Sequence, residues 1–308
     1  MIQVADISRY QIHPDSTGRI DFGKMRRRFR GVIMRACVTA MDGTIGEDSR
    51  LRQYVDWLND YNASIGPDEQ LPLCGFYDAL RLEKDIHRQR DFYLQVVKDL
   101  PKVRPIPDLE GKRPFDLTPD QAAERLDDWL IGVTAEVEIW PMIYSSAQWF
   151  DQFIAPGKWN VFDLWIARYP MLDTKWLPYI AGPWADGSYK PRDWSTWRLW
   201  QYGTPTIGLE CGVESLELDA SIFNGDENDF DLWSAGMQLN PVPVPETEWV
   251  EVTANRPNIR QGPGTNYSPI GLSWNKARVH YAGEQAGEDG HQWYQVKAWM
   301  RDDVARKV

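Results

Sequence analysis

Histidine and cysteine are scarce in this chain, and their scarcity removes several chemistries at the outset. Among 308 residues there are 4 His and 3 Cys. Cys37, Cys74 and Cys211 are widely spaced and odd in number, so neither a disulfide framework nor a zinc site is expected. Cys37 and Cys74 lie inside apolar runs and read as small core residues. His13, His87, His280 and His291 are scattered without metal-ligand or Cys-His spacing. No Gly-x-Ser-x-Gly elbow and no phosphate loop occurs. No metal and no cofactor is therefore expected. Long apolar runs are also missing, so no membrane partner is expected. Basic residues are in deficit, with 34 Lys and Arg against 45 Asp and Glu and a net charge of -11. That balance argues against nucleic acid as a partner. The deficit belongs to the residues before Trp249, because the tail carries a small basic excess. The opening Met1-Ile2-Gln3-Val4-Ala5-Asp6 lacks the basic, apolar and small-residue succession of a signal peptide.

Tryptophan, by contrast, is abundant, with 16 in the chain. Aromatic faces in a cleft stack on sugar rings, although many will be core. The length suits a barrel-sized domain plus a small one. Ile2–Ile7 reads as a first strand. Phe22, Met25 and Phe29 recur at helical spacing, and Val32–Val38 reads as a buried strand. Glu47–Ser64 reads as an amphipathic helix, Leu73–Tyr77 as a third strand, and Ile86–Leu100 as a helix stopped by Pro101. Val103–Glu110 is the fourth strand. Thr118-Pro119-Asp120-Gln121 is a capping box with Pro at the first helical position, opening a helix that runs to Val137. Ile139–Tyr144, Phe162–Tyr169, Thr196–Tyr202 and Leu216–Asp219 complete eight strands. Strands alternating with helices predict a parallel sheet closed, or nearly so, into an α/β barrel of the TIM type.

Asp108 and Glu110 are two residues apart on the fourth strand. Their side chains project from one face, with Cα atoms about 6.5–7 Å apart. Crowded carboxylates repel, so one keeps a proton while the other ionises, the acid-and-base pairing that breaks a glycosidic bond. By itself an Asp-x-Glu triplet is weak. Its weight comes from the other strand ends, where Asp6, Tyr77, Tyr144, Tyr169, Gln201 and Asp219 recur. In such barrels that rim carries the active site.

The pieces Val4-Ala5-Asp6-Ile7-Ser8, Gly75-Phe76-Tyr77, Pro107-Asp108-Leu109-Glu110 and Ile143-Tyr144-Ser145-Ser146 come first. Leu164-Trp165-Ile166-Ala167-Arg168-Tyr169, Leu199-Trp200-Gln201-Tyr202 and Leu218-Asp219-Ala220-Ser221-Ile222-Phe223-Asn224-Gly225 follow. This ordered set resembles the glycoside hydrolase family 25 muramidases, the lysozymes of the Chalaropsis type. The resemblance implies an irregular, flattened β/α barrel. It also implies cleavage of the β-1,4 bond between N-acetylmuramic acid and N-acetylglucosamine in bacterial peptidoglycan. Glu110 is then the general acid, and Asp108 its ionised partner, which also orients the substrate's 2-acetamido group. Asp6, Tyr77, Asp78, Tyr144, Trp165, Tyr169, Gln201 and Asp219 are the candidate substrate contacts. One departure stands on the third strand, where the family has Gly-x-Tyr-His-Phe and this chain continues Tyr77-Asp78-Ala79. That exchange removes a histidine from the groove and offers it a carboxylate. A long rim loop is expected over Met171–Asp193.

The catalytic domain is assigned to residues 1–237 and a Pro-rich linker to 238–248, with alternating prolines that hold it extended. A small all-β domain occupies 249–308. Pro257-Asn258-Ile259-Arg260-Gln261-Gly262-Pro263-Gly264-Thr265-Asn266-Tyr267 and Trp293-Tyr294-Gln295-Val296 resemble a bacterial SH3-type domain, which implies cell-wall binding. Ala298-Trp299-Met300 stands where such domains close with Gly-Trp-Val. A monomer is expected. So is action at the bacterial cell wall, reached by phage-type release, by a delivery machine, or as a mature form without its leader. Two other readings remain at this point: a catalytically silent wall-binding protein, and a hydrolase of chitin-like glycans.

Overall fold

Inward and outward side chains alternate along strand after strand, and this alternation closes a ring. The computed structural model describes residues 2–111, 116–169 and 190–239. In the tail it describes 249–252, 258–260, 265–267, 269–272, 278–280, 283–287, 289–295, 299–301 and 305–307. The expected rim loop lies largely outside the described residues, and so does the Pro-rich linker from 240 onward. Two compact units result, Met1–Asn240 and Pro241–Val308.

In the first unit, β1 (Gln3–Ile7), β2 (Gly31–Thr39), β3 (Ile45–Glu47), β4 (Leu73–Ala79) and β5 (Arg104–Leu109) share one sheet with four later strands. These are β6 (Met142–Ser145), β7 (Asp163–Ala167), β8 (Leu199–Gly203) and β9 (Asp219–Phe223). The sheet order is β1-β9-β8-β7-β6-β5-β4-β2-β3, and β1 also pairs with β2, so eight strands close a barrel with β3 on its edge. The helices are α1 (Phe22–Arg26), α2 (Leu51–Ala63), α3 (Ile86–Val97), α4 (Pro119–Val137), α5 (Ala147–Phe153) and α6 (Glu227–Ser234).

The expected α/β barrel is present, with two differences in its strands. The last strand is not Leu216–Asp219 but begins at Asp219, and it runs antiparallel to both β1 and β8. The connection between β8 and β9, residues 204–218, holds no helix to carry a parallel crossover. Asp219 therefore starts its strand, yet still reaches the rim, because an antiparallel strand begins where its neighbours end. Glu47 lies in β3 instead of opening a helix, since Thr39 and Ile45 pair across a hairpin, and α2 starts only at Leu51.

Two apolar layers follow from the alternation. Outward residues such as Ala5, Met34, Phe76, Leu109, Ile143 and Ile166 pack under the helices. Inward residues Val4, Ile33, Ile106, Met142 and Leu199 fill the barrel. Its floor is closed by Phe230 and Trp233 of α6, whose rings lie 5.2 and 5.3 Å from that of Phe223. The three cysteines are buried and unpaired. Apolar side chains thus fill most of the lower barrel, where buried Arg104 is bonded to the carbonyls of Trp140, Trp233 and Met237.

The capping box that opens α4 is formed. Gln121 N–H donates to Thr118 Oγ1 at 3.3 Å, and Thr118 N–H donates to Gln121 Oε1 at 2.9 Å. Among the described residues of the tail all regular structure is strand, in antiparallel sheets. One sheet holds β10 (Trp249–Val252), β13 (Arg278–His280) and β17 (Ala305–Lys307). The other holds β11 (Asn258–Arg260), β12 (Pro269–Leu272), β14 (Gly283–Ala286), β15 (Gln292–Gln295) and β16 (Trp299–Arg301). Ala298 and the turn residues 261–264 lie outside the described residues.

Candidate active site

Register carries the candidate residues to one rim. Asp6 on β1 pairs directly with Asp219 on β9, and Asp108 on β5 pairs with Tyr144 on β6. Ala167 on β7 pairs with Gln201 on β8. The end of β5 is held from both sides: Leu80 N–H donates to Asp108 O at 3.1 Å, and Ser145 Oγ donates to Leu109 O at 2.8 Å. Glu110 is the first residue past this strand. Gly111 follows with φ of 80°, a left-handed conformation that glycine adopts without strain, so the chain leaves the rim at once.

One hydrogen-bonded network links Asp6, Gln201, Tyr144, Tyr169 and Glu110. Tyr144 Oη donates to Gln201 Oε1 at 2.7 Å and lies 3.3 Å from Glu110 Oε2. Tyr169 Oη also donates to Gln201 Oε1 at 2.7 Å, and Gln201 Nε2 donates to Asp6 Oδ2 at 3.0 Å. An amide oxygen has two lone pairs, so it takes both phenols, and the amide nitrogen is left facing Asp6. The single Tyr144 proton serves one acceptor at a time, either an ionised Glu110 or Gln201. A protonated Glu110 can then donate its own O–H to the Tyr144 oxygen.

The electrostatics favour protonated carboxyls. Burial, and then the Asp219 charge, push Asp6 well above the usual carboxylate range, while the Gln201 amide opposes the shift. Burial, and then Glu110, do the same to Asp108. Burial raises Glu110, against the hydrogen bond from Tyr144. Burial and the Glu110 charge push Asp219 up to about 7. Four crowded carboxyls cannot all ionise in a partly dry site. Burial therefore acts on both members of the Asp108–Glu110 pair, though unequally. Asp108 is only 6% exposed and its Oδ1 has no hydrogen-bond partner, whereas Glu110 meets solvent at the mouth.

Not every candidate reaches the groove. Asp78 lies on the opposite face of β4 from Tyr77, buried beneath α4. Trp129 Nε1 is near enough to favour its ionised form but is not aligned into a full hydrogen bond. Burial pushes Asp78 up to about 8. Period-2 alternation already places residues 77 and 78 on opposite faces. Trp165 lies inside the barrel as a floor beneath the tyrosines. Its ring centroid is 4.6 Å from that of Tyr144 and 6.5 Å from that of Tyr77, and its Nε1 donates to Ser221 Oγ at 2.9 Å. Tyr77 is half-buried at the wall and Tyr169 is half-exposed.

The sequence reading missed Arg35, a cation on the inward face of β2 in register with Tyr77. Its signal was a charge two residues after inward Ile33. Among the described residues, no group of His, Cys, Asp and Glu is arranged to hold a metal ion. Two depressions, of about 310 and 570 Å³, lie beside Trp57 and beside His87, and neither is lined by any of the rim carboxyls.

This barrel and rim have counterparts among known proteins. A family 25 glycosyl hydrolase from Bacillus anthracis is 17% identical, with 77% of this chain and 94% of that one covered and a TM-score of 0.56. A bacterial lysozyme from Streptomyces coelicolor is 19% identical over 76% of this chain and 96% of that one, with a TM-score of 0.55. A spore cortex lytic enzyme of Clostridium perfringens is 16% identical, covering all of this chain (100%) and 96% of its own, with a TM-score of 0.53. These likenesses show the fold. A comparison with curated proteins gives no match. The model for glycosyl hydrolases family 25 matches residues 5–207, a span that includes Asp6, Asp108, Glu110, Tyr144 and Gln201. The chain belongs to family 25 of the glycosyl hydrolases.

Proposed function

We propose that this protein is a muramidase of the lysozyme or endolysin kind, cleaving the β-1,4 bond between N-acetylmuramic acid and N-acetylglucosamine in bacterial peptidoglycan. The observation that carries the reading is the convergence of Asp6, Asp108, Glu110 and Asp219 on one rim of a family 25 barrel. The names of its structural relatives, lysozyme and spore cortex lytic enzyme, agree with it.

Glu110 is the general acid. A sugar in the groove covers it further, raises its proton affinity and aims that proton at the glycosidic oxygen. The acetamido N–H donates to Asp108, and a donated hydrogen bond favours the ionised form. Substrate thus favours a protonated Glu110 beside an ionised Asp108. As the glycosidic C–O bond breaks, the Glu110 proton passes to the leaving oxygen and the acetamido carbonyl closes on the anomeric carbon. Ionised Glu110 then takes a proton from the water that opens this ring. Asp6 and Asp219 shape the charge at the mouth, and Tyr77, Tyr144 and Tyr169 offer phenols to the sugar.

The same reading assigns residues 1–237 to catalysis, 238–248 to a linker and 249–308 to an SH3-type wall-binding domain. It places the protein at the cell wall as a monomer. Digestion of purified peptidoglycan, with fragment masses and reducing ends identified, tests it. New reducing ends at muramic acid are expected. Reducing ends at glucosamine overturn the bond assignment, and wall binding with no fragment released makes the barrel a binding platform only.

A further inference from the structure

Four carboxyls crowd the rim, yet one corner of it is cationic. Arg35 Nε donates to Asp48 Oδ2 at 2.8 Å, and the same oxygen accepts the Arg9 N–H at 3.0 Å. The other oxygen of Asp48 accepts Arg50 N–H at 3.0 Å. This buried carboxylate therefore anchors the turn after β1 against β2 and is fully used in doing so.

Between the two arginines stands Tyr10, 64% exposed and four residues after Asp6. The guanidinium carbons of Arg9 and Arg35 each lie 5.1 Å from its ring centroid. Arg9 Nη2 also donates to Tyr10 Oη at 3.2 Å. With a lone pair of its oxygen taken by a cation, the phenol O–H is left to donate outward. The Arg9 hydrogen bond, with both guanidinium charges, lowers the Tyr10 pKa from its ordinary value, which strengthens that donor. Among the described residues the Arg9 guanidinium pairs with no carboxylate, and the largely buried Arg35 backs the phenol with its charge from within. An exposed phenol donor flanked by two cations is complementary to a carboxylate.

We infer that Arg9, Tyr10 and Arg35 form a carboxylate-binding subsite at the edge of the active-site rim, and that its ligand is the acidic stem peptide of the wall strand. The inference rests on the peptidoglycan reading and deepens it. N-acetylglucosamine is neutral, so the anionic part of a wall strand is the peptide hung on muramic acid. The carboxyl cluster repels that peptide, and the Arg9–Tyr10–Arg35 corner attracts it. The substrate is then a peptide-bearing glycan, oriented by its charge.

Calorimetric titration with a soluble N-acetylglucosaminyl-muramoyl-tetrapeptide tests this. That compound lacks the bond the enzyme is proposed to cut, so the wild-type protein can be used. Wild type is expected to bind the free-acid form about tenfold more tightly than the form with its carboxyls converted to amides. Arg9→Gln combined with Tyr10→Phe alters exposed side chains and should bind both forms as weakly as wild type binds the amide. Equal affinity of wild type for acid and amide overturns the subsite. Equal affinity for the tetrapeptide form and for a stem-free disaccharide with a free lactyl carboxylate overturns the stem as ligand. Wall digestion run beside it judges the muramidase reading separately, because cleavage without carboxylate preference removes the subsite alone.

Discussion

Gln201 is the residue on which the rim's proton positions depend. It holds two phenols on one atom and Asp6 on the other, while being only 3% exposed. Replacing it by Leu removes the donor that opposes protonation of Asp6. A hydrogen bond to a charged group contributes about 1.5–3 kcal/mol, so kcat/KM should fall about 10- to 100-fold. The acidic limb of the pH–rate profile should also move to higher pH. A lower rate with an unchanged profile would mean that Gln201 merely fills space. Glu110→Gln keeps the shape of the acid but not its proton, and general acid catalysis contributes about 10²- to 10⁴-fold. Turnover on peptidoglycan should drop by that order with the melting temperature held. Retained turnover would move the acid elsewhere in the cluster.

At the scale of elements, local chemistry was legible and chain direction was not. Thr118-Pro119-Asp120-Gln121 announced α4, and the structure forms both hydrogen bonds of the box. Thr118→Ala should cost about 1 kcal/mol of stability, measured by denaturant unfolding, with turnover unchanged. A loss within error would mean that packing of α4 outweighs its cap. The last strand was harder to read. Leu216 and Leu218 suggest a strand, but Leu216 is 67% exposed and pairing starts only at Asp219. Whether a strand returns parallel or antiparallel is decided by partners distant in sequence, here Gln3–Asp6 and Leu199–Gly203. Asp108 and Glu110 were legible as a pair because they are neighbours in sequence. The Arg9–Tyr10–Arg35 corner was not, since it needs Asp48 to join the turn after β1 to β2 through its own carboxylate.

For the whole molecule, the raised carboxyls set a pH dependence of stability whose sign can be worked out. Asp78 is raised from 3.8 to about 8 by burial, and Asp219 to about 7 by burial and by Glu110. A folded chain that binds these protons more tightly than the unfolded chain is favoured at low pH. As pH rises past about 4, the unfolded chain releases them and the folded chain does not, so stability falls. The fall continues until the folded groups ionise, near pH 7 for Asp219 and near pH 8 for Asp78. One pKa unit corresponds to about 1.4 kcal/mol, so Asp78 alone contributes a decline on the order of a few kcal/mol across that window. Asp78→Asn keeps the shape and removes the ionisation, with the Trp129 Nε1–H nearby as a donor to the amide oxygen. The variant should melt close to wild type near pH 4.5. At pH 8 it should melt about 5 °C or more above wild type, given about 2–4 °C per kcal/mol in a domain of this size. Thermal unfolding followed from pH 4.5 to 8 decides the matter. If Asp78→Asn keeps the wild-type slope, the dependence comes from the rim carboxyls. Asp219→Asn should then flatten it below pH 7, and should do so together with a change in the pH–rate profile that Asp78→Asn, buried on the far face of β4, leaves untouched.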